Sequence, residues 1–283
     1  MTRKKVLGLA RLFRFELPFA AGVCVVLGTL LALRQFPDIS LLVLSFSSVF
    51  FTSAAALILN DYFDVESDKL NAPDRPIPSG LVTKQDVLIL AIVVTLLGIL
   101  ASALISIPAM VTVVLVWLVG FLYNWRLKKA GILGNLMVSL SVGMTFIYGG
   151  IVVGKSFEPV VWFFALLVAL INLGEEIAAD AMDVTGDRQA QSRSLAVLLG
   201  PEQALKISGV IFLMVVAISF LPVLLGWLGL IYLLPIFLMD LVILFSTKQL
   251  LNSKLADRRK YVRWIYLSGL VALIVIIVML VWL

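Results

Sequence analysis

Apolar residues run along this chain in long uninterrupted stretches, broken by short clusters of Gly, Pro and charge, and they predict nine helical spans near 17-34, 40-59, 87-106, 109-125, 132-153, 158-173, 206-225, 228-246 and 262-283. As α-helices, runs of roughly 16 to 22 residues cross a hydrocarbon core about 30 Å thick. The period-two alternation of a membrane β-barrel is absent from the pattern. The first run lacks a small-residue cleavage site and leads into eight further runs, so the expectation is a retained helix.

Charge placement sets the topology. All but Arg34 and Lys155 of the 22 Lys and Arg residues fall at the N-terminus or in the even-numbered loops. Arg3, Lys4, Lys5, Arg11 and Arg14 precede the first span. Lys69, Arg75 and Lys84 lie in the second loop, Arg126, Lys128 and Lys129 in the fourth, and Arg188, Arg193 and Lys206 in and after the sixth. The eighth loop and the start of its following helix carry Lys248, Lys254, Arg258, Arg259, Lys260 and Arg263. Short cytoplasmic loops carry excess positive charge, so the N-terminus is expected in the cytoplasm and the C-terminus outside.

Composition agrees: 62% of the 283 residues are hydrophobic and 14% are charged, well beyond the apolar share of a soluble domain. The expectation is an all-α integral membrane protein, one transmembrane domain over 1-283, with nine helices in one bundle around a central cavity. The net charge of +5 follows from the loop bias and gives no reason to invoke nucleic acid. With no His, an imidazole base, a His-ligated zinc and a Ser-His-Asp triad are excluded. The single Cys24 sits in an apolar run and reads as a packed small hydrophobe.

The acids are concentrated. Of 17, twelve lie in two segments, Asp61, Asp64, Glu66, Asp68, Asp74 and Asp86 in the first and Glu175, Glu176, Asp180, Asp183, Asp187 and Glu202 in the second. These segments, 60-86 and 174-205, are the long cytoplasmic loops of a chain whose other connections are short, and long loops tend to be functional. In NDYFDVESD, Asn60, Asp64 and Asp68 stand at i, i+4 and i+8 if the second helix continues, with Asp61 beside them. In EEIAADAMDVTGD, Glu176, Asp180, Asp183 and Asp187 fall on one helical stripe. Carboxylates stacked at a membrane edge repel one another unless cations neutralise them. Oxygen ligands without His or Cys select Mg²⁺, which favours carboxylates together with phosphate oxygens.

Cationic residues accompany both acid segments. NAPDRPIPSG follows the first, and its X-Pro restrictions predict an extended stretch that aims Arg75 over the acids. Thr83 and Asp86 predict a capping box, and Gly200-Pro201 a second helix start. Tyr123, Arg126, Lys128 and Lys129 of YNWRLKK lie on the same face. Arg11, Arg14, Arg188 and Arg193 are further cations on that face. Asp240, late in the eighth span, predicts a polar contact inside the bundle.

Together NDYFDVESD, NAPDRPIPSG and DAMDVTGD resemble the UbiA superfamily of intramembrane prenyltransferases, and Tyr123 and Lys128 match its YxxxxK-like element. The resemblance covers the whole chain. It implies Mg²⁺-dependent transfer of a prenyl group from an isoprenyl diphosphate to a lipophilic acceptor at the cytoplasmic face. It further implies that Asn60, Asp64 and Asp68 hold one Mg²⁺ and Asp183 and Asp187 a second, with Asp61 and Asp180 as neighbours. Arg75, Tyr123 and Lys128 would contact the diphosphate, and Arg14 would face the acceptor, with Arg11, Arg188 and Arg193 as further spare cations for an anionic one. Aromatic and Met side chains would shield the prenyl cation. The motifs look most like the archaeal-type branch, whose acceptor is geranylgeranylglyceryl phosphate and whose donor is geranylgeranyl diphosphate. Glu175, Ala179 and Met182 stand where that branch carries Arg, Lys and Glu. Quinone-precursor enzymes share the framework and chlorophyll synthases carry a similar RPIPSG, so aromatic and chlorophyllide-type acceptors are the alternatives. A cation transporter, the rival of another class, predicts acids at mid-span, where these spans have almost none.

Overall fold

The computed structural model describes residues 3–189, 191–252 and 255–282, with side chains at all of these except 70, 71, 255 and 256. Lys254 of the eighth loop and the last residue of the ninth predicted span lie outside the described residues. Among the described residues there is no strand, and nine helices are long and apolar enough to cross a membrane.

A short amphipathic helix, α1 (Arg3–Leu12), precedes the first span. The spans that follow are α2 (Glu16–Leu33), α3 (Ile39–Phe63), α5 (Lys84–Ala103), α6 (Ile107–Trp125), α7 (Ile132–Val152) and α8 (Pro159–Met182). The seventh joins α11 (Pro201–Ile218) to the short α12 (Leu221–Leu224), and α13 (Leu233–Asn252) and α14 (Leu255–Trp282) complete the set. Three short helices lie between spans: α4 (Val65–Asn71), α9 (Val184–Gln189) and α10 (Leu195–Leu199).

Local chemistry fixes the helix starts. Thr83 and Asp86 form the expected capping box, Asp86 N donating to Thr83 Oγ1 at 3.2 Å and Thr83 N to Asp86 Oδ2 at 3.1 Å. Ser106 Oγ accepts from Ala109 N at 3.2 Å to open α6. Pro201 occupies the first turn of α11 after Gly200, a place where the missing N–H costs nothing.

Each span packs on the next, and α14 returns to α2, so the nine helices close into a ring. Lipid tails are as apolar as leucine, so close backbone approach, not water exclusion, drives such packing. The tightest crossing joins α2 to α7 through the ring: a Cβ on Gly149 would stand 2.6 Å from Thr29 N and from Val25 O. Leu27, Leu31, Phe146 and Phe164 pack beside that crossing and seal one end. The half of the ring toward Arg14, Asn60, Tyr123 and Glu176 stays open as a cavity of about 1060 Å³.

Asp240 is 2% exposed and accepts a 2.7 Å hydrogen bond from Ser219 Oγ, the predicted intrabundle contact. Cys24 is likewise buried.

Candidate active site

The first acid motif begins inside a helix. α3 runs to Phe63, so Asn60–Phe63 is helical and not loop, and the ladder continues through Asp64, whose N–H donates to Asn60 O at 2.9 Å. Asp68 N then donates to Asp64 O at 2.8 Å, which preserves the i, i+4, i+8 spacing across the join to α4. Asn60 is oriented by Asn124 of α6: Asn60 Nδ2 donates to Asn124 Oδ1 at 3.0 Å, and Asn124 Nδ2 to Ala56 O at 3.0 Å.

Basic side chains hold the motif's carboxylates. Asp68, 5% exposed, accepts from Arg75 Nη1 through both oxygens, at 2.7 and 2.6 Å. Asp61, 4% exposed, pairs with Arg14 and lies 3.4 Å from Arg75 Nη1. Asp64 pairs with Lys128 from the turn after α6. Arg75 thus reaches the acidic face as expected, but the backbone that carries it is not extended. Arg75 N donates to Ala72 O, Ser79 N to Arg75 O and Gly80 N to Ile77 O, each at 3.0 Å. X-Pro restricts only the preceding residue, and the fixed φ of Pro78 suits the first corner of the Ile77–Gly80 turn.

A further clamp on this segment comes from α1, which loop patterning alone did not predict as an element. Lys5 pairs with Asp86 at 2.7 Å, Arg11 donates to the Asp74 carbonyl at 3.1 Å, and Leu12 is buried with Val82. At the elbow between α1 and α2, Arg14 takes a left-handed φ of 44°.

The second motif is helical through Met182, but the stripe expected to run on to Asp187 is interrupted at Asp183 before α9 begins. α8 extends nine residues past the predicted end, because Ile177, Ala178 and Ala181 continue the buried face while Glu175, Glu176 and Ala179 turn to the cavity. Asp180 Oδ2 accepts from Asn135 Nδ2 of α7 at 2.8 Å. Asp183 caps α8 and pairs with Arg259 of α14. In α9, burial pushes the Asp187 carboxyl above the usual Asp range.

The turn after α6 brings the motifs together. Lys128, bonded to Asp64, also lies within electrostatic reach of Glu176 and Asp187. Tyr123 lines the cavity within electrostatic reach of Glu176 and Asp180, and of Asp64 and Asp187. Arg193 N donates to the Lys129 carbonyl at 3.1 Å, tying this turn to the segment after α9.

The donor set is oxygen throughout, which suits Mg²⁺. Asp187 Oδ2 is buried without a hydrogen-bond partner, an acceptor that a hard cation satisfies. Among the described residues no three acids converge on one ion position. Asp61, Asp64, Asp68 and Asp183 are instead turned onto Arg14, Lys128, Arg75 and Arg259.

Below the motifs the wall is mostly apolar, with Phe15, Trp117, Tyr123, Tyr148 and Tyr266 among its aromatics and Met137, Met144, Met182 and Met239 among its thioethers. Of the four cations expected to serve an acceptor, Arg14 lines the cavity, whereas Arg11 is spent on the Asp74 carbonyl and Arg188 and Arg193 are not on its wall. Loop charge counting groups them with Arg14 but says nothing of which helix edges meet. Arg259 and Arg263, counted from sequence only as part of the loop charge, line the cavity. Their i, i+4 spacing was the available signal.

Comparison with known proteins agrees with this geometry. The model of the UbiA prenyltransferase family matches residues 21–270. Digeranylgeranylglyceryl phosphate synthase of Pyrococcus furiosus is 33% identical over 249 residues, 88% of each chain. A structure solved in work on digeranylgeranylglyceryl phosphate synthase in membranes matches with a TM-score of 0.76 and 27% identity over 99% of both chains. A UbiA homolog from Archaeoglobus fulgidus bound to DMAPP and Mg²⁺ shares the fold, with a TM-score of 0.67 and 18% identity over 95% of this chain and 99% of its own. With the family model spanning most of its length and both acid motifs in place, this chain belongs to the UbiA prenyltransferase family.

Proposed function

We propose that the protein transfers the prenyl group of geranylgeranyl diphosphate to geranylgeranylglyceryl phosphate, in membrane ether-lipid synthesis, at a Mg²⁺-dependent site on the cytoplasmic face. The observation that carries this reading is the meeting of the two acid motifs at Tyr123 and Lys128, above an apolar cavity large enough for an isoprenoid chain. The synthase name of the Pyrococcus relative supports the acceptor, and the Mg²⁺ and DMAPP of the Archaeoglobus homolog support the donor and metal. The whole chain acts as one transmembrane domain with its catalytic segments at 60-86 and 174-205. The positive-inside bias puts these segments and the N-terminus in the cytoplasm.

In this reading Asn60, Asp64 and Asp68 hold one ion and Asp183 and Asp187 a second, with Asp61 and Asp180 adjoining. Bound there, Mg²⁺ supplies charge neutralisation for the departing diphosphate. The bond that breaks joins the allylic C1 to the diphosphate oxygen; the bond that forms joins C1 to the acceptor's hydroxyl oxygen, whose proton is lost. Arg75, Tyr123 and Lys128 orient the diphosphate, and two fixed cations at that place stabilise the charge that builds on its oxygens. Arg14 faces the acceptor. The aromatic and Met walls keep water from the prenyl cation.

The test is to supply purified protein with Mg²⁺, geranylgeranyl diphosphate and either geranylgeranylglyceryl phosphate or 4-hydroxybenzoate, and to identify products by mass. Product from the glyceryl phosphate supports the reading. Product from the aromatic alone overturns the acceptor assignment and leaves prenyl transfer standing.

A further inference from the structure

We propose that Arg263, together with Arg259 one turn earlier on α14, forms the site that holds the acceptor's phosphate at the cavity mouth. This inference rests on the reading above, that the acceptor bears a phosphate.

The argument starts from an inventory of charge. Among the described residues, the cations on the cavity wall are Arg14, Arg259 and Arg263. Arg14 is committed to the nearly buried Asp61. Arg75 and Lys128 hold the first motif and are not on the wall. The α8 side offers Asn172, Glu175, Glu176, Ala179 and Met182, which include two acids and no cation. An anionic headgroup entering this cavity therefore finds its pairing partners on the α14 edge.

The geometry of that edge suits a phosphate. Residues at i and i+4 of a helix project from one face about 5–6 Å apart at Cβ. Each guanidinium presents a planar fork that matches phosphate oxygens. Both side chains are 65% exposed, so a headgroup at the membrane surface can reach them. Arg259 touches Asp183, which puts a phosphate on this pair within one side chain of the second motif. That short reach is what a glycerol unit between phosphate and reacting hydroxyl demands. Deeper along the same seam, Leu17 and Ala20 of α2 and Leu270 and Leu273 of α14 give the lipid chain an apolar wall.

Glu16 competes for the site. Arg263 Nη2 donates to Glu16 Oε2 at 3.1 Å, and Tyr266 Oη donates to the Glu16 carbonyl at 3.3 Å, so Glu16 joins α2 to α14 at the mouth. A phosphate on Arg263 displaces or shares that carboxylate. Removal of the Glu16 charge therefore strengthens acceptor binding, a gain that a purely structural ion pair would not give.

The experiment compares wild type, Arg263→Gln, Glu16→Gln and Lys260→Gln in nanodiscs. Lys260 is an exposed cation on α14, paired with Asp257 and not on the cavity wall, so it controls for overall surface potential. KM is measured for geranylgeranylglyceryl phosphate and for geranylgeranyl diphosphate, and equilibrium binding of geranylgeranylglyceryl phosphate is measured without Mg²⁺ or donor. Loss of one of two exposed guanidinium contacts, worth about 1 kcal/mol, predicts that Arg263→Gln weakens acceptor KM and binding about fivefold. The donor's KM stays within about twofold, Lys260→Gln matches wild type, and Glu16→Gln tightens the acceptor. If wild type uses the glyceryl phosphate and Arg263→Gln binds it equally well, the site is misplaced while the function stands. If wild type uses only an uncharged or aromatic acceptor, the underlying reading fails and this inference with it. Should Arg263→Gln not fold, Glu16→Gln decides: no tightening overturns the proposal.

Discussion

Gly131 and Arg193 meet backbone to backbone: a Cβ on Gly131 would stand 1.9 Å from the Arg193 carbonyl oxygen. This contact fixes the Tyr123–Lys128 turn against the segment that follows the second motif. Gly131 also holds φ +66° and ψ −129°, a conformation essentially reserved for glycine. Substituting Gly131→Ala therefore adds a clash that only backbone movement relieves to a strain of about 1–3 kcal/mol. The expected outcome is a clearly lowered unfolding temperature in detergent, with loss of prenyl transfer as the motifs shift apart. An unchanged melting curve would show that the staple is not needed.

The carboxylates are expected to behave otherwise. Asp64 pairs with Lys128 and Asp183 with the exposed Arg259, and solvent-exposed pairs of this kind contribute about 0–1 kcal/mol. Asp64→Asn and Asp183→Asn should keep the fold while lowering kcat by about 10²-fold or more, the scale for loss of one electrostatic stabiliser of a transition state. Thermal unfolding and turnover, measured on the same samples, check this. Near-normal turnover in either variant removes that residue from the metal set.

Much of this arrangement is legible in the sequence, and the exceptions have physical causes. The spans and the acid spacing follow from patterns within one helix, so the nine described spans and the capping box are found where the pattern predicts, and the i, i+4, i+8 spacing of Asn60, Asp64 and Asp68 is kept across the join of α3 to α4. α8 outlasts its apolar run because the cavity gives Glu175 and Glu176 a place to face, and the helical spacing of the acids and of Ile177, Ala178 and Ala181 is the sequence's hint of it. The i, i+4 spacing of Arg259 and Arg263 is visible in the sequence, but their place at the site emerges only when α14 closes the ring against α2 and α8, a contact between the two ends of the chain. Arg14 shows the same limit: its position before the first span is plain, its pairing with Asp61 is not.

Arg75 and Lys129 separate a fixed cation from a replaceable one. Arg75 is set by the turns around Pro76 and Pro78 and by Asp68, whereas the Lys129 side chain is exposed in a cation-rich turn. Arg75→Ala is expected to weaken geranylgeranyl diphosphate binding about tenfold or more, and Lys129→Ala by less than about twofold. Calorimetric titration in the presence of Mg²⁺ measures both. Equal effects would mean that the diphosphate clamp lies elsewhere.

Topology is open to direct labelling. In a background with the buried Cys24 replaced by Ala, single cysteines at Ser79 and Ser156 should react with a membrane-impermeant thiol reagent from opposite faces, Ser79 only after the cytoplasmic side is exposed. Labelling of both from one side would contradict the span arrangement and the cytoplasmic placement of the site.

The central claim is prenyl transfer that depends on Mg²⁺ at the junction of the two motifs. The measurement that tests it most directly follows pyrophosphate release and prenylated product together, from purified protein given geranylgeranyl diphosphate and geranylgeranylglyceryl phosphate, with Mg²⁺ or with a chelator. The expected result is one pyrophosphate per molecule of digeranylgeranyl product when Mg²⁺ is present, and neither when it is removed. Product formed equally well under chelation, or no prenylated product at all, would contradict it.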